Sequence, residues 1–242
     1  MSTVIATSLL PDSTANDTLT VGGAGDSVNL PGNLLTVNSL QDAGGNNTFV
    51  SNGSGVVTST GLPGAMKFIS TQTASAAANV SFTSGLDSTY DLYIFKFIDV
   101  HPATDGSNFQ VNFSSDGGSN YNMMKTTTIF QTTHYENNSD AYLSYSTGGD
   151  LAQSTAAQEM AAGVGNSADE CCAGTLQLFA PSSSQFVKHF YSRLQEYCYP
   201  DISRECYAAG YVNSTSPINA VHFKMSSGNL DGIIAMYGIS KS

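Results

Sequence analysis

The sequence predicts an all-β protein. An extended β-rich segment over residues 1–62 precedes an antiparallel β-sandwich of jelly-roll kind over residues 63–242. Three observations carry this. Charged residues make up only 11% of the chain, against about 25% in an ordinary globular domain, and Gly, Ser, Thr and Asn fill the gap. Gly and Asn tolerate the positive φ that turns require, whereas a helical protein is rich in Glu, Lys, Arg and Leu. Short apolar and aromatic runs alternate with turn signals along most of the chain, and no strand–helix–strand alternation is visible.

Residues 1–62 contain no Lys, Arg or Glu and a single aromatic residue, Phe49; their acids are Asp12, Asp17, Asp26 and Asp42. Short β-prone pieces stand at 18–21, 34–37, 48–50 and 56–58, separated by Gly and Asn. Apolar burial contributes about 25 cal/mol per Å², so a segment this poor in bulky apolar groups cannot build a core alone. Strands intertwined with those of symmetry-related copies would supply the missing contacts. The segment is therefore expected to be flexible, or to be an assembly element ordered by neighbouring chains.

From residue 63 the composition changes, and Lys67 is the first basic residue. Strands are expected at 66–69 and 80–82, then at 90–100, whose apolar and aromatic run is broken by Asp91 and Lys96 as in a central strand covered on both faces. Phe109–Phe113 alternates, giving one buried and one wet face. Asp116-Gly117-Gly118-Ser119-Asn120 reads as a hairpin turn leading to a partner strand from Tyr121 to Phe130. Further strands are expected at 141–145, 175–179, 186–194, 206–212, 220–225 and 233–239. Leu151–Ala162 carries helix-friendly residues and is expected to form a short helix within a long connection over 145–175.

The charge pattern excludes a nucleic-acid partner. The net charge is −11 and the eight basic residues are scattered, whereas phosphate binding needs clustered Lys and Arg. No apolar run approaches the roughly 18 residues of a membrane span. The start, Met1–Thr7, lacks the charged and apolar regions of a secretory signal, so synthesis and assembly in a cytoplasm are expected. Four cysteines, Cys171, Cys172, Cys198 and Cys206, do not match paired zinc-ligand spacing. Free thiols are expected in a cytoplasm, and a link from the 171/172 pair to 198 or 206 stays open.

No catalytic constellation emerges. His101, His134, His189 and His222 are dispersed and no nucleophile elbow occurs. Glu159, Glu170, Glu196 and Glu205 show no pairing of the kind glycoside hydrolysis needs. Asp99, Asp105 and Asp116 lie among Asn and Ser oxygens that suit calcium, but capping of their own turns accounts for them. No catalytic residue, metal or cofactor is expected. Tyr197 and Tyr199, expected in a loop before Pro200, are the candidate binding residues, because tyrosine offers rigid amphipathic area at low entropic cost.

Three phrases carry a family resemblance. They are Asp26–Leu34 with Val37–Asn46, His101–Asp105 with Asp116–Tyr121, and Phe223–Asn229 with Met236–Ile239. They are similar to stretches of tail-fibre-like virion structural proteins of marine tailed phages, of the cyanophage type. The resemblance implies a non-enzymatic virion protein, a homo-oligomer and commonly a trimer. It implies an N-terminal region that joins other virion proteins and a C-terminal domain that contacts a host glycan or protein. A capsid decoration or cement protein is the alternative within the same setting, and a polysaccharide-degrading enzyme the alternative outside it. The cysteines near 171–206 depart from the family pattern.

Overall fold

The computed structural model describes residues 39–41, 47–51, 57–59, 66–198 and 200–240. The chain divides into two units, residues 1–60 and 61–242. In the first, β1 (Ser39–Gln41), β2 (Asn47–Ser51) and β3 (Val57–Ser59) form an antiparallel sheet in the order β1-β2-β3. The strand expected at 48–50 falls in β2 and that at 56–58 overlaps β3. The pieces at 18–21 and 34–37 lie outside the described residues.

The second unit consists of strands alone among its described residues. Its first half holds β4 (Met66–Ala77), β5 (Val80–Phe82), β6 (Leu92–Pro102), β7 (Ser107–Ser114), β8 (Lys125–Tyr135) and β9 (Ala141–Tyr145). Its second half holds β10 (Gln158–Val164), β11 (Cys172–Phe179), β12 (Lys188–Cys198), β13 (Ile202–Val212), β14 (Ala220–Met225) and β15 (Leu230–Ile239). They form one antiparallel sheet in the order β4-β15-β6-β11-β12-β10-β7-β14-β5, with a branch from β12 through β13 and β8 to β9. The strands at the two ends of the main order, β4 and β5, are separated in sequence only by Ala78 and Asn79. The sheet thus curls almost into a closed barrel.

β6 has the central position its composition suggests. It pairs with β15 on one edge and β11 on the other, and Tyr93, Phe95, Phe97 and Val100 are buried. Opposite it, β7 and β14 supply Phe109, Phe113 and Phe223. Phe223 meets Phe95 at 5.2 Å and Phe97 at 5.1 Å, both edge-on, and Phe97 meets Phe109 at 5.1 Å. Phe82 of β5 closes the group against Phe95 at 5.4 Å. Edge-on pairs set the positive ring rim against the negative ring face, which stabilises them beyond simple burial.

The structure corrects three local expectations. The glycine turn after β7 forms, with Gly117 and Gly118 at φ +73° and +91°, but it does not make a hairpin. Both edges of β7 are occupied, by β10 and β14. The strand that follows the turn starts at Lys125 and pairs instead with β13 and β9. The helix expected over 151–162 is absent: residues 158–164 are β10, inside what read as a long loop. Gln158 donates to the Gly149 carbonyl and Thr127 donates to Gln158, while Gly163 sits at φ +78°. Tertiary pairing overrides a weak helical preference here. Finally, β12 and β13 run further than expected, pairing from Lys188↔Val212 to Cys198↔Ile202.

The fold makes the Phe223 ring the most connected aromatic group of the core. Phe223→Ala is expected to cost about 3–5 kcal/mol, measured as a lower urea midpoint at unchanged m-value.

Candidate functional site

β12 alternates strictly, so one of its faces is buried and the other is available to solvent, and β13 follows the same period less sharply. On β12, Lys188, Phe190, Ser192, Leu194 and Glu196 are buried, while His189, Tyr191 and Arg193 face outward. Register aligns outward residues of neighbouring strands in rows. One row runs Tyr145, Phe130, Tyr207, Arg193 across β9, β8, β13 and β12, and continues to Thr175 and Lys96 on β11 and β6. The next row is Thr128, Ala209, Tyr191, Gln177. The third holds Thr126, Tyr211 and His189.

The small side chains of Ala209 and Thr128 form a floor between aromatic walls. On one side lies a depression of about 400 Å³ walled by Phe179, His189, Tyr191 and Tyr211. On the other lies one of about 350 Å³ walled by Phe130, Tyr191, Arg193 and Tyr207. Tyr191 stands between them. Phe130 and Tyr207 stack at 4.8 Å with planes 6° apart. The Arg193 guanidinium lies 5.5 Å from the centre of the Tyr207 ring and pairs with Glu205. Tyr207 donates to the other Glu205 oxygen at 2.8 Å. These donors hold the Glu205 carboxyl below its ordinary range, the Arg193 bond contributing most. Tyr191, Phe130 and Tyr145 remain 43%, 42% and 51% exposed, forming an apolar area with a polar border, the usual mark of an interaction site.

Tyr197 lies in β12 rather than in a loop, because the hairpin extends to Cys198. It is half-buried, and its hydroxyl donates to Asp201 at 3.1 Å, which pushes its pKa up to about 12. Tyr199 lies outside the described residues. Tyr191 and Tyr211 make cross-strand contacts: Tyr191 with Phe179 at 5.6 Å and Tyr211 with His189 at 6.2 Å. The signal that marks the face is the outward register of β12, His189-x-Tyr191-x-Arg193, but its significance depends on which strands lie alongside.

The other expected groups have local partners. Asp116 accepts from Ser114, from the Asn120 backbone and from the Asn120 side chain, which closes its turn and lowers its pKa to about 2. His101 Nδ1 contacts the Glu170 carbonyl at 2.6 Å, and exposed His134 contacts Asn138 at 3.2 Å. All four cysteines are free thiols. Among the described residues no group of three or more His, Cys, Asp or Glu side chains is placed to hold a metal ion.

A buried acidic cluster, invisible in the sequence, forms where β10 approaches the hairpin. Glu196 is fully buried and pairs with Arg204, directly across the ladder, at 3.2 Å. Arg204 also donates to the Ala162 carbonyl. Cys206 Sγ lies 3.8 Å from Glu196 Oε1, while Oε2 has no partner among the described residues. Burial outweighs the attraction of Arg204 and pushes Glu196 up to about 8, so it holds its proton at neutral pH. Burial likewise raises Cys198 to about 11, and Cys172 and Cys206 also lie above their ordinary range. Thiols held protonated in this way are poor nucleophiles.

No known protein family, curated protein or solved structure matches the chain.

The Glu196 shift has a definite sign. Its folded pKa lies above the ordinary 4.5, so the folded state binds more protons than the unfolded chain between about pH 4.5 and 8. Its contribution to stability is complete below that window and is lost as pH rises through it. Glu196→Gln is expected to remove this part of the decline, seen by urea denaturation of both proteins at pH 5 and pH 8.

Proposed function

We propose that the chain is a non-enzymatic virion structural protein of fibre or spike type, which assembles as a homotrimer and contacts a host surface through its C-terminal unit. The observation that carries this reading is the exposed aromatic face of β12, β13 and β8. Rigid rings around a small-residue floor, with Arg193 and Glu205 at the border, suit stacking against sugar rings and bonding to their hydroxyls. The resemblance of three sequence phrases to tail-fibre-like proteins of marine tailed phages agrees with it.

In this proposal residues 1–62 are an extended assembly segment that joins neighbouring copies and other virion proteins. The C-terminal unit is a β-sandwich of jelly-roll kind. Its layers would be β4-β15-β6-β11-β12-β13-β8-β9 and β10-β7-β14-β5, joined at the single pair Val164↔Cys198. The contacts of Phe223 and Phe109 with Phe95 and Phe97 would then form the core between the layers.

Native mass measurement of the full chain is expected to give a trimer, and a stable monomer would overturn the assembly part of the reading. Tyr191→Ala and Tyr207→Ala are each expected to weaken attachment to host cells at least about tenfold, since buried aromatic anchors commonly carry about 2 kcal/mol or more. Unchanged attachment would exclude this face. Antibody labelling of particles is expected to mark the tail. Labelling of the head would replace the fibre reading with a capsid decoration protein.

A further inference from the structure

Lys125 opens β8 with its side chain fully buried, and among the described residues no carboxylate forms an ion pair with it. A buried ammonium without a counter-ion is costly. Its Nζ instead contacts Asn112 Oδ1 at 2.6 Å and the Met123 carbonyl at 2.8 Å. Burial lowers the Lys125 pKa to about 8, which brings the neutral, nucleophilic amine within reach of ordinary conditions.

Asn112 is buried on β7, and its amide is held from several sides. Oδ1 also accepts from the Phe113 backbone N–H at 2.9 Å, and Nδ2 donates to the Thr155 carbonyl at 3.0 Å. The amide therefore cannot turn away from the amine. The carbonyl carbon lies no more than about 1.2 Å further from Nζ than Oδ1 does, so a small shift of the amine brings it to the roughly 3–3.5 Å of a near-attack arrangement. The Phe113 N–H is placed to stabilise negative charge developing on Oδ1.

His222 stands directly opposite Asn112 in the β14–β7 register. Its ring stacks on Tyr121 at 4.0 Å, and its Nε2 is buried with no partner among the described residues. Burial, with Lys224 and Lys125 nearby, lowers its pKa to about 4, so the imidazole adds no charge beside the amine.

We propose that Lys125 and Asn112 react to form an intramolecular amide cross-link between β8 and β7. The lone pair of Nζ attacks Cγ of Asn112, and the carbonyl pair moves onto Oδ1. Collapse of the intermediate restores the carbonyl and breaks the Cγ–Nδ2 bond. One proton passes from Nζ to the departing nitrogen, which leaves as ammonia. The product amide retains one N–H, and the step needs no oxidant, reductant or cofactor. The bond would join residues 13 apart in sequence and tie together two strands that share no ladder.

Mass spectrometry of the folded full chain tests this after prolonged incubation at neutral pH. The expected mass is that of the sequence less one ammonia, with trypsin leaving Lys125 uncut, so that residues 97–188 appear as one internally looped peptide lighter by one ammonia. The unreduced sequence mass overturns the proposal, as does ammonia loss with trypsin still cutting after Lys125, which would be cyclisation of an asparagine. Lys125→Met removes the amine without adding volume and is expected to keep its full sequence mass; ammonia loss in that variant also overturns the proposal.

Discussion

The second unit depends on one constraint: the aromatic side chains of β6 must be covered by β7 and β14. Phe95 and Phe97 project from a strand hydrogen-bonded on both edges, so only an element packed against its face can bury them. Phe223 and Phe109 do so, and Phe82 completes the group from a three-residue strand. This requirement explains why the chain leaves β7 through a glycine turn and travels on before starting β8. A direct hairpin would have taken an edge of β7 that β10 or β14 must occupy to bring its own side chains into the core.

The seams of that arrangement gather polar groups. β10 meets β12 at one residue pair, Val164↔Cys198, and the gap in the ladder beside it is filled by Arg204, Glu196 and the Ala162 carbonyl. At the other seam, Lys125 fills the space between β8 and β7 and donates hydrogen bonds to Asn112 Oδ1 and the Met123 carbonyl. Buried ionisable groups of this kind add little net stability compared with apolar residues of the same size. They do satisfy backbone and side-chain atoms that an irregular ladder would leave bare.

The outer face of the hairpin is shaped by the same pairing. β13 runs antiparallel between β12 and β8 over its whole length. Tyr207 is thereby stacked on Phe130 and covered by Arg193, while Ala209 leaves room beside Tyr191. A face built on three long paired strands is rigid, which lowers the entropic cost of presenting rings to a partner. Few charges and many hydroxyls and amides elsewhere on the chain make this aromatic area stand out from its surroundings.

The sequence by itself determined the β class, the main strands and the turns, because period-two alternation and turn chemistry are local properties. The strand over 90–100, the alternation of 109–113 and the glycines at 117–118 were all legible in this way. Which strand lies beside which was decided only by the tertiary structure, because pairing depends on covering the faces of β6 and β7. The β7–β8 hairpin and the helix over 151–162 failed for that reason. The same division holds for the candidate site. Local signals favoured Tyr197 and Tyr199 and could not rank Tyr191 or Tyr207. Their roles come from Ala209, Phe130 and Thr128 on neighbouring strands. Glu196 with Arg204, and Lys125 with Asn112, were likewise unremarkable in sequence, since nothing local reveals that a side chain will be buried or what it will face.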